Sequence, residues 1–307
     1  LEVLRGIMLK IASVTMFIIM ASLIKATAGE VPPGEAVFFR SFFALPVILL
    51  WLMFKKEMRT GLKTAYPMRH VWRGLVGTVA MALGFTGLGL LPFPEVTAIG
   101  YAAPLLTVVF AAMFLGEEVR VFRLSAVLLG LVGVLIVLSP RFSTLAGVGL
   151  DQRETLGATV VLMGAGCAAL AQVFIRKMVF TERTSAIVFY FTVTSTLLSL
   201  LTIPFGWAIP APRAAAFLVL AGLFGGVGQI LLTSSYRFAD ASVIAPFEYT
   251  SMIMALAIGY FIFSEAPSTT MLFGAFLVIL AGVAIILRER ALGIERTRQR
   301  KAMTPQG

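Results

Sequence analysis

The chain has 307 residues, 59% of them hydrophobic and 13% charged, with a mean hydropathy of +0.96. Soluble domains carry charge on about a quarter of their residues, so these proportions exclude an ordinary soluble fold and point to a chain embedded in lipid. The net charge of +10 would suit nucleic acid, but in a membrane protein it reflects basic cytoplasmic loops, and nucleic acid is excluded as a partner.

A spanning helix needs roughly 20 mostly apolar residues. Ten segments meet that requirement: 7–28, 34–54, 72–91, 94–115, 122–139, 157–177, 185–205, 214–236, 241–263 and 269–287. The first has the outline of a signal peptide, with Arg5 and Lys10 in front and Ala26-Thr27-Ala28 in cleavage-site form. It reads instead as helix 1, because it is long enough to span and has a counterpart in the second half. Aligning Met16–Lys25 with Cys167–Arg176 sets Lys25 opposite Arg176. Connections are short, the longest being the polar stretch Lys55–His70 and the link 140–156. His70, the sole histidine, is read as a solvated loop residue. The tail 288–307 is basic and is expected to be disordered or to lie on the inner leaflet.

Tyr101–Glu117 is echoed at Tyr249–Glu265, each an apolar run with Tyr at its start and Glu at its end. The recurrence divides the chain into a first five-helix unit, 7–139, a connecting loop, 140–156, and a second unit, 157–287. Orientation follows from Lys and Arg. With a cytoplasmic N-terminus, 20 basic residues, Lys10 and Arg73 among them, fall on inner segments, against Lys25, Arg141, Arg153 and Arg213 outside. Both termini are then cytoplasmic. An odd number of spans per unit makes the repeat inverted, a construction that transporters use to build a site at the membrane midplane. The expected fold is an all-α membrane protein of ten transmembrane helices.

Ionisable groups at membrane depth cost about 3 kcal/mol or more each and point to function. Glu248 stands seven residues past Ala241, roughly 10 Å into helix 9 at ~1.5 Å per residue. Its counterpart is Gly100. It can bind a substrate amine or carry a coupling proton, or it can be a structural acid paired with a neighbouring Arg or Tyr. Arg40 stands at similar depth in helix 2, opposite Tyr190. It can fork onto a carboxylate or tie helix 2 to carbonyls at a helix end, and the second reading is preferred because helix 2 need not line a cavity. Tyr101 and Tyr249 offer an aromatic face and a hydroxyl to an amphipathic ligand, or belong to an interfacial belt. Gln172 and Gln229 either contact substrate or join helices. Met16, Met20, Met81 and Phe85 suit an adaptable apolar lining, and core packing explains them equally. Glu117 and Glu265, at helix ends, are expected to pair with basic groups or cap helices.

The glycines are packing devices. Gly222 and Gly226 are spaced as GxxxG, and Gly130 and Gly133 serve the same purpose. Gly84, Gly87 and Gly89 follow no strand, so no dinucleotide fold is implied. No Gly-Lys-Ser/Thr loop is present, and one cysteine, Cys167, makes neither a disulfide framework nor a thiolate cluster. No cofactor or metal is expected. The spans lack the paired carboxylates, nucleophile with base, or histidine cluster that an intramembrane enzyme would need.

Several local patterns carry a resemblance over roughly residues 7–287. They are Pro32-Pro33-Gly34-Glu35-Ala36-Val37-Phe38-Phe39-Arg40-Ser41, then Pro104 leading to Gly116-Glu117, then Gly130-Leu131-Val132-Gly133-Val134. The second half adds Ser264-Glu265-Ala266-Pro267 and Ala281-Gly282-Val283. With the doubled unit, these resemble the drug/metabolite transporter superfamily, in its ten-span branch of two EamA-type domains. Met252 stands where a match to Pro104 would fall, with Pro246 earlier. The resemblance implies a secondary transporter of the bacterial inner membrane working by alternating access. Helices 1, 3, 4, 6, 8 and 9 would surround the cavity, with helices 5 and 10 packed on each other or on a partner. Members export amino acids, aromatic ones included, or import vitamins and nucleoside-like metabolites. Export of amino acids is the expectation here and uptake the alternative. The expected partners are a small-molecule substrate and membrane lipid. Proton-coupled and facilitated transport, monomer and homodimer, all fit the same residues.

Overall fold

The computed structural model describes residues 2–58, 60–115, 121–142, 152–178, 181–238 and 245–303. Glu117 and most of the 140–156 link lie outside the described residues. The helices are α1 (Glu2–Thr27), α2 (Pro33–Phe42), α3 (Ala44–Phe54), α4 (Pro67–Leu90), α5 (Phe93–Gly100), α6 (Ala102–Leu115), α7 (Val121–Phe142), α8 (Gln152–Met178), α9 (Thr184–Leu200), α10 (Pro212–Phe238), α11 (Thr250–Phe261) and α12 (Thr269–Met303). Two 3-10 turns, Ile203–Phe205 and Ala245–Tyr249, complete the elements, and no strand occurs among the described residues.

Proline sets several of the starts. Pro33, Pro67 and Pro212 each occupy the first helical position, where a missing N–H costs nothing and φ is already helical. Pro67 carries α4 five residues further toward the N-terminus than hydropathy suggests. That moves His70 from a loop into a helix and sets Arg73, at the edge of the expected span, well inside it; both are buried. The reading of His70 as solvated is therefore corrected. Its Nε2 lies 3.6 Å from Glu182, and its ring sits 4.8 Å from that of Tyr190. The tail is helical rather than disordered as far as Met303, where α12 ends, in keeping with its Ala, Leu, Glu, Gln, Lys and Arg residues, which favour helix.

Six helical stretches are long and apolar enough to cross a membrane: Leu4–Thr27, Pro33–Phe54, Pro67–Leu90, Phe93–Phe110, Gln152–Ile175 and Pro212–Ser235. Leu124–Ser139, Thr184–Leu200 and Thr269–Ala284 are apolar but shorter. Their outward faces carry Leu128, Val132, Leu135, Phe273, Phe276 and Leu280, all exposed, as a surface solvated by lipid requires and one solvated by water does not tolerate over such an area.

The helices pair across the two halves of the chain. α1 packs along α10, α4 along α8, α2 against α9, and α7 along α12. Glycine permits the closest of these approaches. A Cβ on Gly274 would lie 2.6 Å from the Gly133 carbonyl, and one on Gly133 2.8 Å from the Gly274 carbonyl. α7 and α12 thus meet backbone to backbone, as small residues allow in membranes. Gly222 and Gly226 bring α10 onto Phe39 of α2, Ala44 of α3 and Phe43 between them.

Candidate functional site

Each half has one helix broken at a tyrosine. α5 ends at Gly100 and α6 begins at Ala102, with Tyr101 between them at φ −67° and ψ −6°. In the second half the 3-10 turn ends at Tyr249, φ −69° and ψ −12°, and α11 begins at Thr250. Pro104 has no N–H, so the Gly100 carbonyl loses its α-helical donor. At the second break, short hydroxyls take over: Thr250 Oγ1 donates to the Phe247 carbonyl at 2.6 Å and Ser251 Oγ to that of Glu248 at 2.6 Å. Irregular backbone of this kind is tolerated at membrane depth only where protein or a cavity covers it.

The two tyrosines meet there. Their rings are edge to face, with centroids 5.0 Å apart, and both are buried. Ser251 Oγ spends its proton on the Glu248 carbonyl, so in the 2.6 Å contact between Tyr101 and Ser251 the phenol is the donor. A Cβ on Gly282 would run into the Tyr249 hydroxyl. The ring therefore uses the space left by a glycine of α12.

Glu248 is held from α1. Lys10 Nζ lies 3.3 Å from Glu248 Oε2; the lysine side chain is 2% exposed and the glutamate 35%. The carboxylate is thus accessible on one side while its cation is enclosed. Lys10 counts among inner-segment residues in the charge balance, but α1 starts at Glu2 and buries it. It shares a helix face with Ser13, Phe17, Met20 and Ile24. Ser13 Oγ donates to the Gly228 carbonyl at 2.8 Å, and a Cβ on Gly228 would press on Phe17 and Met16. The partner of the deep acid is therefore a lysine on the first helix. Local neighbours offer no hint of it, because it is 238 residues away.

The apolar residues form a second group. Met20 and Phe85 are buried together, with Phe17 and Met81 packed against them. Met16 is half-buried beside Gly228. Phe85 also lines a cavity of about 240 Å³ with Ile24, Thr27, Val31, Ala36 and Gly89. Gln229 is buried on α10 and Gln172 half-buried on α8; neither is brought onto the Lys10–Glu248 pair by a hydrogen bond among the described residues.

Arg40 belongs to a third group. Its side chain is 3% exposed, and its Nε and Nη1 make no hydrogen bond. Arg73 of α4, 4% exposed, is in the same condition, and both guanidiniums face the ring of Phe191, at 5.7 Å and 3.8 Å.

One end of the bundle is closed by charge. Lys25 Nζ pairs with Glu265 Oε1 at 2.9 Å and donates to the carbonyls of Leu91 (2.8 Å) and Leu88 (3.2 Å). Glu265 Oε2 accepts the Phe93 N–H at 2.6 Å, capping α5 as an acid at a helix N-terminus should. Of the two roles expected for Glu265, pairing with a base or capping a helix, it takes both. Its repeat mate Glu117 lies outside the described residues.

Comparison with known proteins gives consistent matches. The sequence model of the EamA-like transporter family matches residues 4–139 and again 155–288. The pseudopaline exporter CntI of Pseudomonas aeruginosa (strain UCBPP-PA14) is 28% identical over 91% of this chain and 95% of its own length. An S-adenosylmethionine uptake transporter of Rickettsia bellii is 28% identical over 83% of this chain and 84% of its own. An uncharacterized transporter of Helicobacter pylori (strain J99) is 28% identical over 93% and 95%. A solved crystal structure superposes with a TM-score of 0.66 at 20% identity, covering 94% of this chain and 98% of that one, and so shares its fold.

Proposed function

The chain belongs to the EamA-like transporter family, and from that premise we propose that it exports amino acids, aromatic ones included, across the bacterial inner membrane by alternating access. The family and the named relatives are transporters rather than enzymes. The chain is an integral, multi-pass membrane protein that moves a small molecule. Beyond that, we assign it ten spans in two inverted units, 7–139 and 157–287, with both termini cytoplasmic. The pairing of α1 with α10 and of α4 with α8 supports such an inversion, since a two-fold axis in the membrane plane exchanges those pairs.

The observation that carries the substrate reading is the half-open Lys10–Glu248 pair beside two buried tyrosines. A substrate ammonium can take the exposed face of Glu248 in competition with Lys10, while Tyr101, Tyr249 and the Met20–Phe85 group accept an apolar side chain. Met16, Met81, Gln172 and Gln229 complete the proposed lining. Differential affinity of the two carrier states for this ligand is what would drive the cycle. The test is growth of an export-defective strain on toxic aromatic and aliphatic amino acid analogues, with and without this protein. Resistance supports export, and its absence across both sets rejects it.

Uptake of a vitamin or nucleoside-like metabolite is the second reading. It is favoured by the relative named as an S-adenosylmethionine uptake transporter. Proteoliposomes loaded or bathed with labelled phenylalanine and S-adenosylmethionine separate the two readings, and an imposed pH gradient in the same vesicles reports proton coupling.

A further inference from the structure

Two buried arginines with no counter-charge among the described residues require an explanation. Arg40 and Arg73 are both more than nine-tenths buried, and Nε and Nη1 of each lack a hydrogen-bond partner. Ser41 Oγ, next in sequence to Arg40 and fully buried, lacks one too. The acids nearest in sequence and packing are committed elsewhere. Glu35 accepts the Ala208 N–H at 3.3 Å. Glu182 accepts Thr64 Oγ1 at 2.8 Å and the N–H groups of Ala65 and Tyr66 at 3.2 Å, and its other oxygen faces His70. Neither reaches an arginine within ion-pair distance among the described residues. An uncompensated buried ion is destabilising by several kcal/mol in general, so a purely structural pair of like charges is a poor solution for the fold.

The surroundings hold the guanidiniums ready. Arg73 lies 3.8 Å from the Phe191 ring centroid, a stacking geometry that keeps the planar group oriented. Gly77, one turn along α4, leaves the space that Arg73 uses: a Cβ there would run into its Nη1. Gly225 of α10 does the same for Arg40. A Cβ on it would lie 3.0 Å from Arg40 Nε and 2.9 Å from Met20 Sδ, so Arg40 and Met20, of the apolar group assigned above to the substrate side chain, converge on the same glycine of α10.

The geometry points to a carboxylate-binding subsite formed by Arg40 and Arg73 against Phe191, which takes the acidic group of the transported molecule. It rests on the transport reading and adds to it a requirement for an anion. A zwitterion then engages Glu248 by its ammonium in one cluster and the arginine fork by its carboxylate in the other at different stages of the cycle. An acid without an amine is accepted by the second cluster alone. Arg is suited to this because its fork donates two parallel bonds to one carboxylate.

The test uses the purified full chain and thermal unfolding with four probes: phenylalanine, phenylalanine methyl ester, 3-phenylpropionate, and phosphatidylglycerol micelles. Wild type is expected to be stabilised by phenylalanine and by phenylpropionate. Arg73→Met and Arg40→Met are expected to unfold at or above the wild-type temperature when empty, since each removes an unpaired buried charge. Both should bind phenylpropionate about tenfold or more weakly, with the methyl ester unaffected. Arg73→Lys should keep the fold and lose most of the carboxylate response. Loss of folding in both methionine variants overturns the proposal, because the arginines are then structural. So does stabilisation by phosphatidylglycerol and by no soluble acid, or an absence of any carboxylate effect on wild type at millimolar concentration. Stabilisation by phenylpropionate but by no amino acid upholds the subsite and rejects the amino acid reading. Equal stabilisation by phenylalanine and its ester in all variants does the reverse.

Discussion

Tyr101 and Tyr249 pack edge to face, their ring planes inclined at 73°, and each stands at the residue where its own helix breaks. Such pairs contribute about 0.5–1.5 kcal/mol beyond the area they bury. Here the pair also joins the two halves of the chain at their two irregular points. Tyr101→Phe keeps the ring contact and removes the hydrogen bond to Ser251. Thermal unfolding in detergent should show a loss of about 1 kcal/mol. Tyr101→Ala should lose about 3 kcal/mol or more. Equal effects for the two variants would mean that the ring contact contributes nothing.

Gly282 is expected to be intolerant of even a methyl group. Alanine there meets the Tyr249 hydroxyl, and buried overpacking costs about 1–3 kcal/mol. Tyr249→Phe in the same chain removes the nearest colliding atom but keeps the ring edge that the Cβ also meets, so it should restore only part of the loss. The check is unfolding of both single variants and the double variant, read as a cycle.

Glu248→Gln should express normally and transport at a rate reduced about tenfold or more, since an amide cannot hold an ammonium as a carboxylate does. Lys10→Met leaves the acid without its buried cation and should destabilise by about 1–3 kcal/mol. That range lies below the usual figure for a broken buried pair because one partner is a third exposed. The double variant should recover stability but not transport. Full transport by Glu248→Gln would remove Glu248 from the mechanism.

The Lys25–Glu265 pair closes one end of the bundle by joining α1, α4 and α5 to the turn after α11. Glu265→Gln weakens the ion pair and the cap on α5 together. If this end opens during transport, a cysteine placed at Gly89, which is exposed beside Ala28, should react with an impermeant maleimide faster in the Glu265→Gln background. Unchanged labelling would mean that the pair is a static brace.

Much of this was legible in the chain because hydropathy and repetition are local properties. The spans, the doubled Tyr-to-Glu segment and the glycine packing faces follow from residues close in sequence. Helix ends were less legible. Polar residues near a span look like loop by hydropathy, so His70 was placed outside the helix that encloses it. Lys10 and Arg73, at the edges of their spans, were counted with the inner-segment charges although both are buried. Pro67 at the first position of α4 was the available signal. Lys10 as the partner of Glu248 had none, since a pair spanning 238 residues leaves no periodic trace.

The sequence by itself determined the solvent and the family: a lipid-embedded, all-helical transporter, because apolar content and helical spans are set residue by residue. Only the tertiary structure decided which charges meet. It matched Lys10 with Glu248 and Lys25 with Glu265, and it left Arg40 and Arg73 together on Phe191. The physical reason is that electrostatic pairing at membrane depth depends on distances of a few ångströms between helices far apart in the chain. Those distances are set by glycine-mediated packing of one helix on another.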